Sequence, residues 1–160
     1  EMNPIITRRS DPEHLRDHEF HQQAFEYRER RLTASAGRRM KQLFDAGMNS
    51  VDAINACQDH LISLAHAHVE RQMVEAFEEG IARAPSAGVS ETLRTVSQLF
   101  ALERLEADRA WFLEAGYMDP PKSRAIRDEV NALCGEIRPL AVDLVRAFGI
   151  PDDVLRARDA

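Results

Sequence analysis

The sequence predicts an all-α fold, an antiparallel bundle of four long helices with the last helix bent near Pro139 and a short C-terminal tail. Apolar residues recur at steps of three to five along most of the chain, which is the spacing of one face of an α-helix. Short segments rich in Pro, Gly, Ser and Asp separate these stretches. No stretch of the sequence alternates apolar and polar residues between hairpin turns, so strands are not expected. Short connections between long helices favour antiparallel neighbours.

The first predicted helix follows an extended N-terminal arm, residues 1–10, and begins at Asp11. Asp11 is a good N-cap, Pro12 suits the first helical position, and Glu13 is favourable near the positive end of the helix dipole. Gly47 can end this helix in the left-handed conformation. The apolar face of this helix contains Phe20, Ala24, Tyr27, Leu32, Ala36, Met40 and Leu43.

Ser50 is the predicted N-cap of the second helix, which runs toward a loop at residues 85–88. Its expected core face contains Ile54, Cys57, Leu61, Leu64, Ala65, His68, Met73 and Phe77. Ser90 is the predicted cap of the third helix, and Gly116 follows its end. The core face of that helix is expected to contain Leu93, Val96, Leu99, Phe100, Leu102, Leu105 and Phe112.

The fourth helix is predicted to open at Asp119 and Pro120 and to end at Gly149. Pro139 removes one backbone hydrogen bond and crowds the carbonyl of Gly135, so we expect a bend there. The core face of this helix is expected to contain Ile126, Val130, Leu133, Ile137, Leu140, Ala141, Leu144 and Phe148. Because all four helices exceed the usual mean of about 11–12 residues, we expect a kink or break in at least one.

The composition is that of one soluble globular domain, which we place at residues 11–156. The chain has 160 residues, of which 44% are hydrophobic and 30% are charged. Its net charge of −6 argues against non-specific nucleic-acid binding. No apolar run approaches the ~20 residues that span a bilayer, so no membrane partner is expected. The C-terminal letters RARDA are not a peroxisomal SKL-type signal, so we predict a bacterial-type cytoplasmic location.

Several clusters of polar residues in the sequence are candidate sites. The stretch from Arg28 to Lys41 is rich in arginine and forms either a basic stripe or an ordinary solvated face. Cys57 and Cys134 lack zinc-ligand spacing and are predicted to be reduced core residues. The group His60, His66 and His68 lacks the usual spacing of three or four for metal ligands. No Glu-x-x-His motif is present, so we predict no metal site.

The densest charged and aromatic cluster contains Glu106, Asp108, Arg109 and Trp111. One interpretation is an ion pair between Glu106 and Arg109 within one helix. The other is a buried Asp–Arg network that fixes how this helix docks on another domain, because such a network is costly unless it is fully paired. The sequence alone leaves both interpretations open.

Two stretches carry a resemblance to a known family. Residues 99–118, LFALERLEADRAWFLEAGYM, resemble the DR-x-WFLE-x-G region of acyl-CoA oxidases. Residues 130–155 resemble that family's N-x-LC-x-E-[IL]-RP ending, with Arg138 and Pro139 followed at a fixed distance by AFGIP. The stretches at 11–32 and 55–71 are similar to the segments that precede this ending.

The resemblance implies the C-terminal helical domain of a flavoenzyme whose parent binds FAD and oxidises acyl-CoA. The catalytic glutamate and the glycine-rich flavin segment of the family lie earlier, so we predict no catalytic, cofactor-binding or metal residue in this chain. The candidate structural and interface residues are Glu106, Asp108, Arg109, Trp111, Arg138 and Pro139. The implied partners are the remaining oxidase domains within a homodimer of the parent. The alternative is a free-standing helical protein-interaction module.

Overall fold

The computed structural model describes residues 8–151 and residue 154, and all regular secondary structure within this part is helical. The predicted arm and tail lie largely outside the described residues. The α-helices in chain order are α1 (Pro12–Leu15), α2 (His18–Asp45), α3 (Ser50–Ala56), α4 (Gln58–Ala82), α5 (Ala87–Ala107), α6 (Arg109–Glu114), α7 (Pro120–Ile137) and α8 (Ala141–Ala147). A 3₁₀ turn, Arg138–Leu140, joins α7 to α8.

The all-α prediction is confirmed, and each of the four predicted helices is divided. The first is interrupted at Arg16 and Asp17, the second at Cys57 and the third at Asp108. The fourth changes to a 3₁₀ turn around Pro139, where the sequence predicts a bend. The expected break in a long helix is therefore found, while the antiparallel order of four helices stays a prediction.

The N-caps at Asp11 and Asp119 are confirmed, because each aspartate side chain accepts a hydrogen bond from the first turn of its helix. The other two predicted caps are wrong by a few residues. Asn49, not Ser50, accepts from the backbone N–H of Asp52 at 3.0 Å. Ser86, not Ser90, caps α5. Serine and asparagine stabilise a helix N-terminus by similar amounts, so several nearby polar residues could cap either helix.

Gly47 ends α2 in the left-handed conformation, as predicted, with φ +84°. The following residue, Met48, donates from its backbone N–H to the carbonyl of Leu43 at 3.0 Å. This hydrogen bond satisfies a carbonyl at the helix end that would otherwise lack a partner.

The core lies where α2, α4, α5 and α7 meet; α2 packs most extensively on α4, α5 on α7, and α4 on α5. Its members include Phe25, Leu102, Leu105, Phe112, Ile126 and Leu133. Seven residues that were predicted to face the core are exposed instead: Ile54, Ala65, His68, Met73, Leu140, Ala141 and Phe148. The apolar residues of the sequence therefore cover more of the helix surfaces than the core contacts. Across the described residues, no helix combines the length and apolar character that crossing a membrane requires.

The two cysteines differ in environment, which corrects the prediction that both are core residues. Cys57 is buried at the α3–α4 junction, whereas Cys134 is exposed on α7. The last turns of α7 leave one side facing water, so position 134 falls outside the core despite its apolar neighbours.

We expect a thiol reagent to modify Cys134 rapidly in the native protein and to reach Cys57 only after unfolding, because reaction requires access to the thiolate. Mass spectrometry of the native chain should show one adduct, and the denatured chain should show two. A Cys134→Ser variant is the control and should stay unmodified until it is unfolded. Rapid modification of that variant under native conditions would contradict the described burial of Cys57.

Candidate functional site

Four of the six predicted site residues lie at one junction, where α5 ends and α6 begins. Glu106 is near the end of α5, Asp108 is the single residue between the helices, and Arg109 and Trp111 are in α6. The structure places Arg138 elsewhere, in the 3₁₀ turn before α8 with Pro139, and both side chains are exposed. The six residues therefore do not form one site.

At this junction Asp108 pairs with an arginine from another helix. Arg28, on α2, places its Nη1 atom 2.9 Å from Oδ2 of Asp108 and 2.6 Å from Oε2 of Glu70 on α4. Arg28 is 6% exposed and Glu70 is 8% exposed. Arg104 adds a longer contact to Glu70, 3.8 Å from Nη1 to Oε1. The Arg28 network, formed by Arg28, Glu70, Asp108 and Arg104, connects α2, α4 and the α5–α6 junction.

Two opposing effects act on the Glu70 carboxyl. Burial raises its pKa above the ordinary value, while the charge of Arg28 lowers it. Burial is the larger effect, although the 2.6 Å contact shows direct pairing. We take the carboxylate to be ionised at neutral pH because the arginine remains charged there. Its charge then depends mainly on Arg28, and the loss of that partner would leave the buried carboxylate with only the 3.8 Å contact to Arg104.

Trp111 covers one side of this network. Its ring centroid lies 6.0 Å from Cζ of Arg28, a distance compatible with a cation–π contact. The ring also meets Tyr27 edge-on at 6.1 Å between centroids and Phe112 at 5.1 Å. The tryptophan therefore links the charged network to the aromatic part of the core.

The predicted ion pair between Glu106 and Arg109 is not formed. The carboxylate of Glu106 instead accepts a hydrogen bond from Nε of Arg127 on α7 at 2.6 Å. Arg109 donates to the backbone carbonyl of Glu106 at 3.3 Å and is otherwise exposed. Asp108 separates the two helices, so Glu106 belongs to α5 and Arg109 to α6, and the spacing of three within one helix no longer applies to this pair.

Sequence reasoning missed Arg28 because it interpreted the arginines between Arg28 and Lys41 either as a basic stripe or as an ordinary solvated face. Arg28 is buried, whereas Arg31 and Arg38 are exposed, so both interpretations are wrong for Arg28. A usable signal was present: position 28 follows Ala24 by four residues, and Ala24 was already assigned to the core face.

A second polar cluster, also missed, holds the N-terminal turn on α7. We call it the Lys122 cluster: His14, Arg16, Lys122, Glu129 and Glu136. Nζ of Lys122 lies 3.0 Å from Nε2 of His14, and Arg16 bonds Glu129 at 2.5 Å and Glu136 at 2.7 Å. Lys122 is fully buried and its Nζ lies 4.0 Å from the ring centroid of Phe20.

Burial lowers the pKa values of several groups around this cluster. It lowers the pKa of Lys122 to about 8 and that of the neighbouring His21 to about 4. The pKa of His14 is also lowered, first by burial and then by the charge of Lys122. A lysine in the first turn of a helix opposes the helix dipole, so its position in the sequence was a signal that the residue has a specific environment.

The described residues do not assemble a recognisable catalytic or metal centre. They contain no group of three or more His, Cys, Asp or Glu side chains that could hold a metal ion. His68 pairs with Glu29, and His60 lies 3.0 Å from Asp59, so those histidines belong to separate contacts.

A charged hollow of about 400 Å³ lies beside Trp111 and is a candidate site for the flavin that the resemblance implies. Arg31 and Arg38 line it, but Asp59 and Glu114 line it too, so its positive charge is balanced. The left-handed glycines are single residues at helix ends and do not form a phosphate-binding loop. These residues do not fit a flavin, and we derive no flavin step from them.

The fold and these clusters define a helical domain whose buried polar groups hold helices together. Residues 17–158 match the sequence model of the acyl-CoA oxidase family. The peroxisomal acyl-coenzyme A oxidase 2 of Arabidopsis thaliana is 33% identical over 97% of this chain and 22% of its own length. A putative acyl-coenzyme A oxidase of the same plant is 31% identical over 95% of this chain and 81% of its own length.

A solved structure is also similar. The crystal structure of acyl-CoA oxidase 3 from Yarrowia lipolytica superposes with a TM-score of 0.77 and 26% identity, covering 86% of this chain and 20% of that one. The chain therefore belongs to the acyl-CoA oxidase family. It spans about a fifth of the length of two of these relatives.

Proposed function

We propose that this chain is the C-terminal helical domain of an FAD-dependent acyl-CoA oxidase and that its role is structural. The parent reaction would convert acyl-CoA and O2 to trans-2-enoyl-CoA and H2O2, the first step of fatty-acid β-oxidation. Bound FAD would accept the electrons of the substrate and pass them to O2. The residues of this chain would support the domains that carry that chemistry, and the partners would be those domains within a homodimer of the parent.

The observation that carries this proposal is the exposed apolar surface of the last helix. None of the residues of α8 is buried. The exposed apolar residues here are Leu140, Val142, Val145, Phe148 and Ile150, and Phe148 is 77% exposed. An isolated domain seldom leaves such a cluster facing water, which suggests a contact with another domain. The family match includes this segment, since it extends to residue 158.

A chimera tests the proposal directly. We would replace the matching segment of the Arabidopsis acyl-coenzyme A oxidase 2 with this chain and measure bound flavin and H2O2 production. We expect the chimera to retain FAD and activity, and a version with the segment deleted to lose both. Phe148→Asp should impair the chimera, while Val51→Asp, at a 66% exposed apolar position on α3, is the matched control. An active deletion would contradict a supporting role.

Flavin titration of this chain alone tests whether catalysis and flavin binding belong to the other domains of the parent. We expect no change in flavin absorbance or fluorescence, with or without a long-chain acyl-CoA. Stoichiometric binding would show that the chain holds a flavin site of its own, and the assignment of catalysis to other domains would be wrong.

One observation favours the second candidate, a free-standing helical interaction module. The putative oxidase of Arabidopsis is covered to 81% of its length, so that relative is not much longer than the region it shares with this chain. The discriminating measurement is whether the natural reading frame extends several hundred residues upstream. The cytoplasmic location that the sequence suggested stays a prediction, and the Arabidopsis oxidase 2 is itself described as peroxisomal.

A further inference from the structure

A buried hydrogen bond between a lysine and a histidine holds the N-terminal turn α1 against α7. Nζ of Lys122, in the first turn of α7, lies 3.0 Å from Nε2 of His14 in α1. Burial lowers the pKa of Lys122 to about 8, so the amine is an ammonium group below that pH. Because an ammonium group has three donors and no acceptor, the contact uses the lone pair of Nε2 and requires a neutral imidazole.

The ring of Phe20 on α2 contacts both of these groups. Its centroid lies 4.0 Å from Nζ of Lys122 and 4.6 Å from the centroid of the His14 ring. His14 is 7% exposed, Phe20 is 2% exposed and Lys122 is fully buried, so the three side chains form one enclosed contact. The aromatic face stabilises one cation here, that of Lys122.

The surroundings of His14 disfavour a second positive charge. Burial is the main cause that lowers the pKa of His14 below the ordinary value of 6.5, followed by the charges of Lys122 and Arg9. Asp11 and Asp17 raise this pKa, but Asp11 pairs with Arg9 at 3.1 Å and Asp17 caps α2. The titratable and charged groups around the contact are Arg9, Asp11 and Asp17 on the N-terminal segment, His21 on α2, and Lys122 and Asp119 on α7.

Arg16 attaches the residue that follows α1 through a separate set of contacts. Its guanidinium bonds Glu129 at 2.5 Å and Glu136 at 2.7 Å, and its backbone carbonyl accepts from Nε2 of Gln98 at 3.0 Å. The hydrogen bond from Arg16 lowers the pKa of Glu136 below 4.5, so this pair stays charged at pH 5. Residue 16 is therefore held independently of the protonation of His14.

We propose that His14 and Lys122 form an acid-sensitive latch, in which protonation of the imidazole releases α1 from α7 while Arg16 keeps the following residue attached. The added proton removes the acceptor of the 3.0 Å contact and sets an imidazolium against an ammonium. A single helical turn has little stability of its own, so α1 loses its helical hydrogen bonds when it leaves α7. The latch is separate from the exposed surface of α8, so it can fail while the proposed domain role holds.

The direction of the pH dependence follows from the two states of His14. In the released turn the imidazole has its ordinary pKa of 6.5, and in the docked turn its pKa is lower. The released state therefore binds more protons below pH 6.5, and docking weakens as the pH falls. Titration of His14 should raise the opening constant of α1 by up to ~25-fold between pH 7 and pH 5, the limit for a docked imidazole that takes up no proton. The burial of Leu15 opposes opening at every pH and does not alter this ratio.

Amide hydrogen exchange measures the opening constant. The backbone N–H groups of Leu15 and Arg16 donate to the carbonyls of Asp11 and Pro12 at 3.0 Å, so these amides exchange when α1 opens. Their protection factors, corrected for intrinsic exchange rates, should fall between pH 7 and pH 5. The amide of Val130, inside α7, should stay more strongly protected at both pH values. Equal protection at Leu15 and Val130 would mean that α1 opens only when the whole bundle unfolds, and it would overturn the proposal.

Two histidine variants locate the proton. His14→Gln keeps a side-chain oxygen that can accept from Lys122 but does not titrate, so the fall in protection should be at least ~5-fold smaller than in wild type. His21→Gln is the matched control, because His21 is the other buried histidine beside α1 and its Nε2 lies 2.7 Å from the carbonyl of Leu15. This variant should keep the fall. A fall that survives His14→Gln, or one that His21→Gln abolishes, would overturn the proposal.

The part played by Lys122 is tested by titrating the His14 ring itself. Its Hε1 resonance should give a pKa below 6.5 in wild type, and Lys122→Met should raise that pKa, because the imidazolium then has no ammonium beside it. Lys41→Met removes an exposed lysine of α2 and should leave the pKa of His14 unchanged. Circular dichroism would verify that all variants keep their helices. A pKa of His14 that Lys122→Met does not raise would refute the pairing of these two residues as the latch.

Discussion

Replacing Arg28 by methionine should lower the free energy of unfolding by about 3–5 kcal/mol, because removal of one partner of a buried ion pair leaves the other charge uncompensated. The charge left behind is the carboxylate of Glu70, which is 8% exposed. Asp108 would lose the same partner, but its side chain is 31% exposed and can be hydrated. Most of the loss should therefore come from Glu70.

Chemical denaturation followed by circular dichroism measures this loss. Arg30→Met is the matched control: it removes an arginine two positions away that is exposed, and we expect a change within about 0.5 kcal/mol. Adding Glu70→Gln to Arg28→Met should recover part of the loss, because the uncompensated charge is then removed. Independent, additive effects of the two substitutions would mean that Arg28 and Glu70 do not act as a pair.

The loss of stability caused by Arg28→Met should depend on pH. Burial already raises the pKa of Glu70, and loss of Arg28 removes the neighbour that lowers it most. The pKa of Glu70 in the folded Arg28→Met variant is then further above that of the unfolded chain. A carboxyl group of this kind destabilises the fold when it is ionised and ceases to do so when it is protonated. The difference between wild type and Arg28→Met should therefore shrink as the pH falls through this raised pKa.

The helical content and several helix N-termini could be predicted from the sequence because local signals determine them. Asp11 and Asp119 each precede a proline, and both cap their helices through side-chain oxygens. Gly47 takes positive φ for the same local reason. These features depend on a few adjacent residues and need no knowledge of packing.

The sequence did not predict that the helices break at Cys57 and Asp108. Each consists of one residue with φ near −100°, −108° at Cys57 and −95° at Asp108, between helices that otherwise continue. Neither break has a glycine or proline, and the apolar spacing runs through both. Their positions depend on how the following helix packs, and Asp108 in addition contacts Arg28 from a helix about 80 residues earlier.

The charged cluster at residues 106–111 was only partly predictable, because its contacts depend on tertiary packing. The composition of the segment 106–111 indicated a charged network, and Asp108 does belong to one. Its partner was assigned within the segment, yet the partner is Arg28, because pairing across helices depends on tertiary structure. Sequence spacing limits which residues share a face but does not identify the residue on the opposite helix.

The free energy of unfolding of the wild-type protein should rise with pH at alkaline pH, and Lys122→Met should remove this rise. Burial lowers the pKa of Lys122 to about 8, compared with 10.5 for an ordinary lysine. Between these values the folded protein has lost the proton while the unfolded chain still binds it. Stability therefore increases with pH across this window. A shift of this size corresponds to about 3 kcal/mol over the whole interval.

The comparison that matters is the difference between wild type and variant at each pH, since other groups titrate in the same range. Below pH 8 the variant avoids the cost of a buried ammonium but loses its contacts with His14 and Phe20. As the pH rises from 8 to 10.5, the free energy of unfolding of the wild type should increase relative to that of the variant.

Lys41→Met provides the matched control, because Lys41 is the other lysine of the chain and its side chain is 74% exposed. This control removes an exposed ammonium instead of a buried one, so we expect its difference from wild type to vary much less with pH than that of Lys122→Met. Urea denaturation at pH 7, 8, 9 and 10 would supply both curves. If wild type and Lys122→Met changed in parallel over this range, then Lys122 would titrate as it does in water, and the cluster with His14 would not bury its charge.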